Sequence, residues 1–278
     1  MTRPLQVGPG TGGVACTLTL AVDTQADVVL QVMAARRPGR TIEDRLDIAN
    51  NGAVLNGREI AAPEYGHQQI VRAEPGTLSV TYRGAFLPSG PPVAKRVTDA
   101  QRVVALRPSR YCPTDRLAGF ARSHFGEFAS AAEQVRAICG YVWRHVRYEP
   151  GVTGSASDAI EILLAGRGVC RDSAHLVVAL CRAVDVPARM VAVYAPGLSP
   201  MDFHAVVETA IDGHWWVWDA TRLAPRATLV RIATGRDAAD IAFVTTLSGR
   251  VQLSTVEVEA VAPSDLPVDD HEQLVALV

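Results

Sequence analysis

Through the N-terminal third of the chain, apolar and polar positions alternate with a period of two, the signature of half-buried strands. Across 15–22, Cys16, Leu18, Leu20 and Val22 share one face, and Thr17 and Thr19 take the other. Further apolar runs cover 28–34 and 78–82. Asn51-Gly52 and Asn56-Gly57 bracket 53–55 as tight turns, since such pairs accept the positive φ that hairpin turns need. Pro88, Pro91 and Pro92 then interrupt regular structure. The pattern predicts a small all-β domain over 1–107, closing in a linker or crossing segment.

Beyond that point the period lengthens towards 3.6. Thr114 or Asp115 can cap a helix that carries Leu117, Phe120, Ala121 and His124 and stops at Gly126. Ser130-x-x-Glu133 reads as a capping box before Val135, Ile138, Cys139, Val142, Trp143 and Val146. Asp158 with Glu161 opens a third helix that ends near Gly166, and a fourth runs from Cys170 to about Val184, before Pro187. Strands return at 189–194, then at 203–211 and 214–220 around an Asp212-Gly213 turn. The segments 241–247 and 251–261 around Ser248-Gly249 read as a second hairpin. Helices followed by an antiparallel sheet define an α+β domain over 108–262. The tail, 263–278, is acidic and then apolar, and its placement does not follow from its pattern.

Composition narrows the classes. The chain has 278 residues, 48% of them hydrophobic, which is enough for a large core without staples. Net charge is -2 and no basic run occurs, which speaks against a nucleic-acid partner. No stretch of about 18 unbroken apolar residues occurs, so no membrane span is expected. Met1 to Gly13 lacks the apolar core of a signal peptide, which makes the cytoplasm the expected compartment. The five cysteines (Cys16, Cys112, Cys139, Cys170 and Cys181) are odd in number and form no Cys-x-x-Cys pair. Neither disulfides nor a zinc site is indicated.

The candidate chemistry lies in the second region. Cys170 falls in the first turn of its helix, where unpaired backbone N–H groups stabilise a thiolate and can serve a developing oxyanion. With Asp212 and Gly213 as the two loop residues, Ile211 lies opposite His214, His204 opposite Thr221 and Val206 opposite Asp219. His204 and Asp219 are then diagonal neighbours on one face, at the ~7–8 Å spacing that side chains bridge. A slip of one residue would separate them. On the correct register the carboxylate orients the imidazole and leaves its other nitrogen for the Cys170 thiol. Trp215 shares the face of Asp219 and is a candidate cleft wall, whereas Trp216 and Trp218 point to the core. His175, five residues after Cys170, reads as a packing residue, and Asp172 as a helix-dipole residue.

Three blocks carry a resemblance. They are Gly168-Val169-Cys170-Arg171-Asp172-Ser173-Ala174-His175-Leu176, Asp202-Phe203-His204-Ala205-Val206-Val207-Glu208 and Trp216-Val217-Trp218-Asp219-Ala220-Thr221. Their order and spacing resemble the transglutaminase-like superfamily, in particular its bacterial cysteine-protease-like branch. Ala220 departs from the more usual Asp-Pro-Thr. The resemblance implies a papain-like core preceded by an N-terminal β-domain, with Cys170, His204 and Asp219 as a triad. It also implies Tyr148 at the border of the cleft. Ser173 stands where a large aromatic is common, which opens or polarises the space beside the nucleophile.

The expected function is a thiol-dependent hydrolase, a peptidase or amidase acting through a thioester without metal or organic cofactor. Its partner is a protein or peptide substrate, and the oligomeric state does not follow from the sequence. The alternatives are a protein-glutamine acyltransferase and a non-catalytic peptide-binding module of the same fold.

Overall fold

The computed structural model describes residues 7–8, 10–38, 42–87 and 93–277. The turn-breaking prolines at 88, 91 and 92 lie outside these residues, as do residues 1–6 and 9 of the N-terminal segment.

The N-terminal strands are β1 (Gly12–Leu30), β2 (Ile42–Asn50), β3 (Ala53–Val54), β4 (Arg58–Ala62), β5 (Gly66–Ala73) and β6 (Gly76–Phe86). The two apolar runs expected as separate strands merge into β1, which exchanges partners along its length. Residues 12–22 pair with β6 and residues 26–30 with β5. Asn51-Gly52 turns β2 into β3, as its residue types require.

The segment expected as a linker contains a helix, α1 (Asp99–Ala105). Thr98 and Gln101 form a reciprocal capping box at its start. Next come α2 (Thr114–Phe125), α3 (Ala131–His145), β7 (Arg147–Tyr148), α4 (Ala159–Ala165), β8 (Arg167–Gly168) and α5 (Cys170–Ala183). Ser130 caps α3 by accepting from Glu133 N, and Asp158 caps α4 by accepting from Ile160 N and Glu161 N. The cap of α2 is Pro113 instead of Thr114 or Asp115, which fall inside the first turn. Proline suits this end because its missing N–H costs nothing there.

The chain continues through β9 (Ala188–Tyr194), β10 (His204–Ile211), β11 (His214–Trp218), β12 (Val230–Gly235), α6 (Ala238–Ile241) and β13 (Val244–Val261). The order β11-β10-β9-β12 makes a four-stranded antiparallel sheet. Helix α5 packs between this sheet and α2, α3 and α4. It is buried almost all round, as a central helix must be.

The expected second hairpin does not form. Residues 244–261 make one strand that pairs with β1 along its whole length, as the seventh strand of the N-terminal sheet. Ser248-Gly249 is an irregularity in that pairing: Gly249 has φ +80°, and a Cβ there would strike Gln25 O. The last long strand therefore returns to the N-terminal sheet, and one hydrophobic core, from Val14 through Leu176 to Ile241, runs through both regions.

The tail, unplaced by its pattern, packs on the four-stranded sheet. Val217 N donates to Val275 O, and Leu277 joins Val191, Val206 and Val217 in a second apolar cluster. Leu277 O accepts from Arg37. The buried Arg226 guanidinium makes a bidentate bond to Asp269 (Nε–Oδ2 2.9 Å, Nη2–Oδ1 2.8 Å). No helix among the described residues is long and apolar enough to cross a membrane.

Candidate active site

Helix α5 begins at Cys170, so this residue occupies the first helical position, where the backbone N–H has no intrahelical partner. The preceding Val169 has no capping side chain, and Asp172 supplies the cap instead. Its Oδ2 accepts from Val169 N (2.9 Å) and from Thr153 Oγ1 (2.6 Å), and its Oδ1 from Arg171 Nε (3.1 Å). Arg171 Nη2 also donates to Gly154 O (3.0 Å). The fully buried Asp172 is therefore a hub that ties the 153–154 loop to the nucleophile turn, more than the dipole residue read from its position. Gly168 is required beside it, since a Cβ there would lie 2.8 Å from Asp172 Cβ.

The hairpin has the register on which the site depends. Ile211 pairs with His214 and Val207 with Trp218, with Asp212 and Gly213 both at positive φ in the turn. β11 ends at Trp218, so Asp219 lies just past the last pair and swings across to the first residue of β10. His204 Nε2 donates to Asp219 Oδ2 at 2.8 Å, with both side chains 1% exposed. Asp219 Oδ1 accepts from Thr221 N (2.8 Å) and Thr221 Oγ1 (2.7 Å), so both carboxylate oxygens are held.

The second imidazole nitrogen, Nδ1, is buried and makes no hydrogen bond of ordinary geometry. The Cys170 thiol lies close enough to the imidazole to act on it both as a hydrogen-bonding group and as a charge. Burial disfavours the imidazolium, but the Asp219 charge and hydrogen bond outweigh it, with Cys170 adding to them. The His204 pKa rises from 6.5 to about 10. Burial would raise Asp219, and the His204 charge with the His204 and Thr221 bonds reverses this, so its carboxyl is held below the ordinary range.

The cleft candidates separate. Tyr148 pairs with Gly168 across the parallel β7–β8 bridge and is 42% exposed, so its ring stands beside the nucleophile turn. Partial burial, then the charges of Cys170, Asp202 and Asp219, push its phenol up to about 12. Ser173 is buried one turn behind Cys170 on α5. Trp215 is not at the cleft. It is 1% exposed, its indole donates to Gln101 Oε1 (3.3 Å), and the Arg189 guanidinium lies 3.8 Å from its ring centroid. Its face was read correctly, but two pleats separate it from Asp219 and put it at the far end of the strand. Trp218 is buried as expected, with Nε1 bonded to Thr209 Oγ1, whereas Trp216 is only half-buried.

His175 is a packing residue. Its ring stacks on Tyr111 (5.0 Å) and Nε2 accepts from Ala238 N (3.1 Å). Burial lowers its pKa to about 4, so it stays neutral. Thr221 was missed as a site residue, although its spacing from Asp219 is that of an Asx turn, in which an aspartate bonds the backbone two residues on. Among the described residues no group of three His, Cys, Asp or Glu is placed to hold a metal ion.

Residues 119–220 match the transglutaminase-like superfamily. The crystal structure of a candidate cysteine protease from Cytophaga hutchinsonii superposes with a TM-score of 0.85 at 30% identity, covering 95% of each chain. The periplasmic domain of TgpA from Pseudomonas aeruginosa superposes more loosely, with a TM-score of 0.44 at 18% identity over 76% of this chain and 90% of that one. An uncharacterized protein of Mycobacterium leprae (strain TN) is 28% identical over 149 residues, which are 49% of this chain and 52% of that one. The chain thus spans about half the length of that curated relative. With its α+β core, its N-terminal β-sheet and a likeness to the Cytophaga hutchinsonii protein that runs nearly end to end, the chain belongs to the bacterial transglutaminase-like family.

Proposed function

We propose that the protein is a thiol-dependent hydrolase of peptide or carboxamide bonds, with Cys170 as nucleophile, His204 as acid and base, and Asp219 as the group that orients and charges His204. The observation that carries this reading is the buried His204–Asp219 pair, whose imidazole lies beside a thiol at a helix start and keeps Nδ1 free of other partners. A thiol beside an imidazole that a carboxylate holds in place is the arrangement of a cysteine nucleophile and its base.

In this reaction the Cys170 sulfur attacks the carbonyl carbon, and the C=O electrons move to oxygen. The Cys170 backbone N–H, free of any intrahelical partner, is a donor to that oxyanion. His204 gives its Nδ1 proton to the leaving amine, the C–N bond breaks, and a thioester remains on Cys170. Neutral His204 then takes a proton from water, whose oxygen attacks the thioester; the C–S bond breaks, the acid leaves, and the proton now on Nδ1 is shared with the departing sulfur, which restores the starting pair. Asp219 stays ionised throughout and keeps the tautomer that places Nε2–H on its own oxygen. Tyr148 and Ser173 border the space that the acyl group enters.

The test is a peptide library incubated with and without an added primary amine, read by mass. Chain cleavage or a gain of acid at a carboxamide, lost in Cys170→Ala, is the expected result. Amine incorporation in place of hydrolysis would make the protein an acyltransferase, and unchanged peptides with stoichiometric binding would make it a binding module. The five described cysteines are all buried and unpaired, which suits the reducing cytoplasm as its compartment.

A further inference from the structure

The Asp219 carboxylate sits on a loop whose neck is closed by one side chain. β11 is an edge strand of its sheet, and both main-chain groups of its penultimate residue, Val217, are bonded away from β10. Val217 N donates to Val275 O (2.8 Å), and Val217 O accepts from Arg226 Nη1 (3.1 Å). Asp219 follows two residues later, Thr221 two after that, and the chain then turns back to Arg226. The Arg226 bond to Val217 O is thus a clasp across the 217–226 loop, which carries Asp219 and both of its Thr221 bonds. Inside the loop Arg222 has φ +57°, a left-handed conformation that a non-glycine residue keeps only where its surroundings enforce it. Its guanidinium lies 4.1 Å from the Trp143 ring centroid, which pins the loop to α3.

The clasp is held in turn by the C-terminal tail. Arg226 is 1% exposed, so its guanidinium donors need partners inside the protein. Asp269 Oδ2 accepts from Arg226 N and Nε (both 2.9 Å), and Oδ1 accepts from Nη2 (2.8 Å). This bidentate pairing sets the plane of the guanidinium and leaves Nη1 aimed at Val217 O. Asp269 Oδ1 also accepts from His271 N (3.0 Å), which fixes the carboxylate in its own turn. Burial would raise the Asp269 carboxyl, and the bonds from Arg226 and His271 hold it well below the ordinary carboxylate range.

We propose that Asp269 is a positioning residue of the active site. Acting through Arg226, it holds the clasp on the 217–226 loop and so keeps the Asp219 carboxylate within bonding distance of His204. The tail is then part of the framework of the site. This role rests on the proposed chemistry of Cys170, His204 and Asp219.

The experiment uses the full chain carrying Asp269→Asn. It reads the rate of Cys170 alkylation by iodoacetamide at pH 7 together with the imidazole NMR titration of His204. Asparagine cannot accept along both edges of the guanidinium, so the clasp loosens. Alkylation is expected to slow by roughly 10–100-fold, the effect of displacing a site group by ~1 Å. The proton affinity of His204 should fall by about tenfold or more, because its Asp219 partner is no longer held at 2.8 Å. Asp269→Glu keeps both acceptors and should restore most of the rate. Asp269→Asn also leaves a buried guanidinium short of its counter-charge, so the combination Asp269→Asn with Arg226→Met serves as the second variant. It removes both partners, should stay folded, and should be slowed equally. A role in stability alone would lower the melting temperature and leave the rate and the His204 titration of the folded variants within about twofold of wild type, and that result would overturn the proposal. An inert Cys170 in the wild type would overturn the hydrolase reading instead, and the His204 titration then decides for or against the clasp by itself.

Discussion

Asp219→Asn isolates the contribution of one charge. The amide has nearly the shape of the carboxylate and keeps an oxygen for the two Thr221 bonds, so the turn at 219–221 is retained. What it removes is the negative charge 2.8 Å from His204 Nε2. At an effective dielectric of ~20, opposite charges at that separation attract by about 6 kcal/mol. Burial opposes the imidazolium, and the net outcome is the rise from 6.5 to about 10. Such a rise corresponds to roughly 5 kcal/mol in favour of the charged form. Losing it should slow acylation of Cys170 by about 10³–10⁴-fold. The assay is the rate of Cys170 alkylation by an electrophilic amide, paired with imidazole NMR from pH 5 to 9. Wild-type His204 should stay protonated across that range. In the variant, burial is opposed chiefly by Cys170 and the ring should be neutral at pH 7. The linkage has a defined sign. A raised pKa stabilises the fold fully below about 6.5 and loses that contribution as pH rises through about 10. The stability gap between wild type and variant should therefore shrink between pH 7 and 10. An Asn variant alkylated within about tenfold of the wild-type rate, with a charged His204 at pH 8, would refute the reasoning.

Thr221→Val leaves the backbone bond to Asp219 and deletes the hydroxyl bond. A hydrogen bond to a charged acceptor is worth about 1.5–3 kcal/mol, so acylation should slow by roughly 10–100-fold, while Thr221→Ser restores it. Glu208, 2% exposed, accepts from both Arg189 and Arg231, so Glu208→Gln should cost about 3–5 kcal/mol in urea unfolding by stranding buried guanidinium charge. Burial alone would raise that carboxyl, but Arg231 and Arg189 bring it from 4.5 down to about 2; its stabilisation is present above pH 4.5 and fades as pH falls towards 2, which an acid titration of the wild type against the variant measures. Gly249→Ala should destabilise by about 1–3 kcal/mol, because φ +80° and Gln25 O both exclude a Cβ; a loss under about 0.5 kcal/mol would fit an exposed hairpin turn instead.

The candidate site was legible because its determinants are local. A two-residue loop fixes a hairpin register, the register fixes a face, and a helix start is marked by the glycines and the apolar run around it. His204 and Asp219 meet for those reasons alone. β13 was not legible, because Ser-Gly suits a turn and a bulge equally, and the choice is made by β1, more than two hundred residues away. Trp215 shows a different limit: alternation reports the face of a strand but not the distance along it. For α1 a signal existed, the Thr98-x-x-Gln101 capping box, but proline-rich neighbours obscured it. The tail carries no period. It is placed by single long-range contacts, chiefly Asp269 with Arg226 and Val275 with Val217, which no local pattern announces.

The central claim is that Cys170 is a nucleophile activated by His204. Its most direct test is the intact and peptide-level mass of the protein after brief exposure to a substoichiometric vinyl-sulfone probe at pH 7. The account predicts a single adduct on Cys170, absent from Cys170→Ala and strongly slowed in His204→Gln. An adduct on Cys16, Cys112, Cys139 or Cys181, or one on Cys170 that forms equally fast without His204, would contradict it.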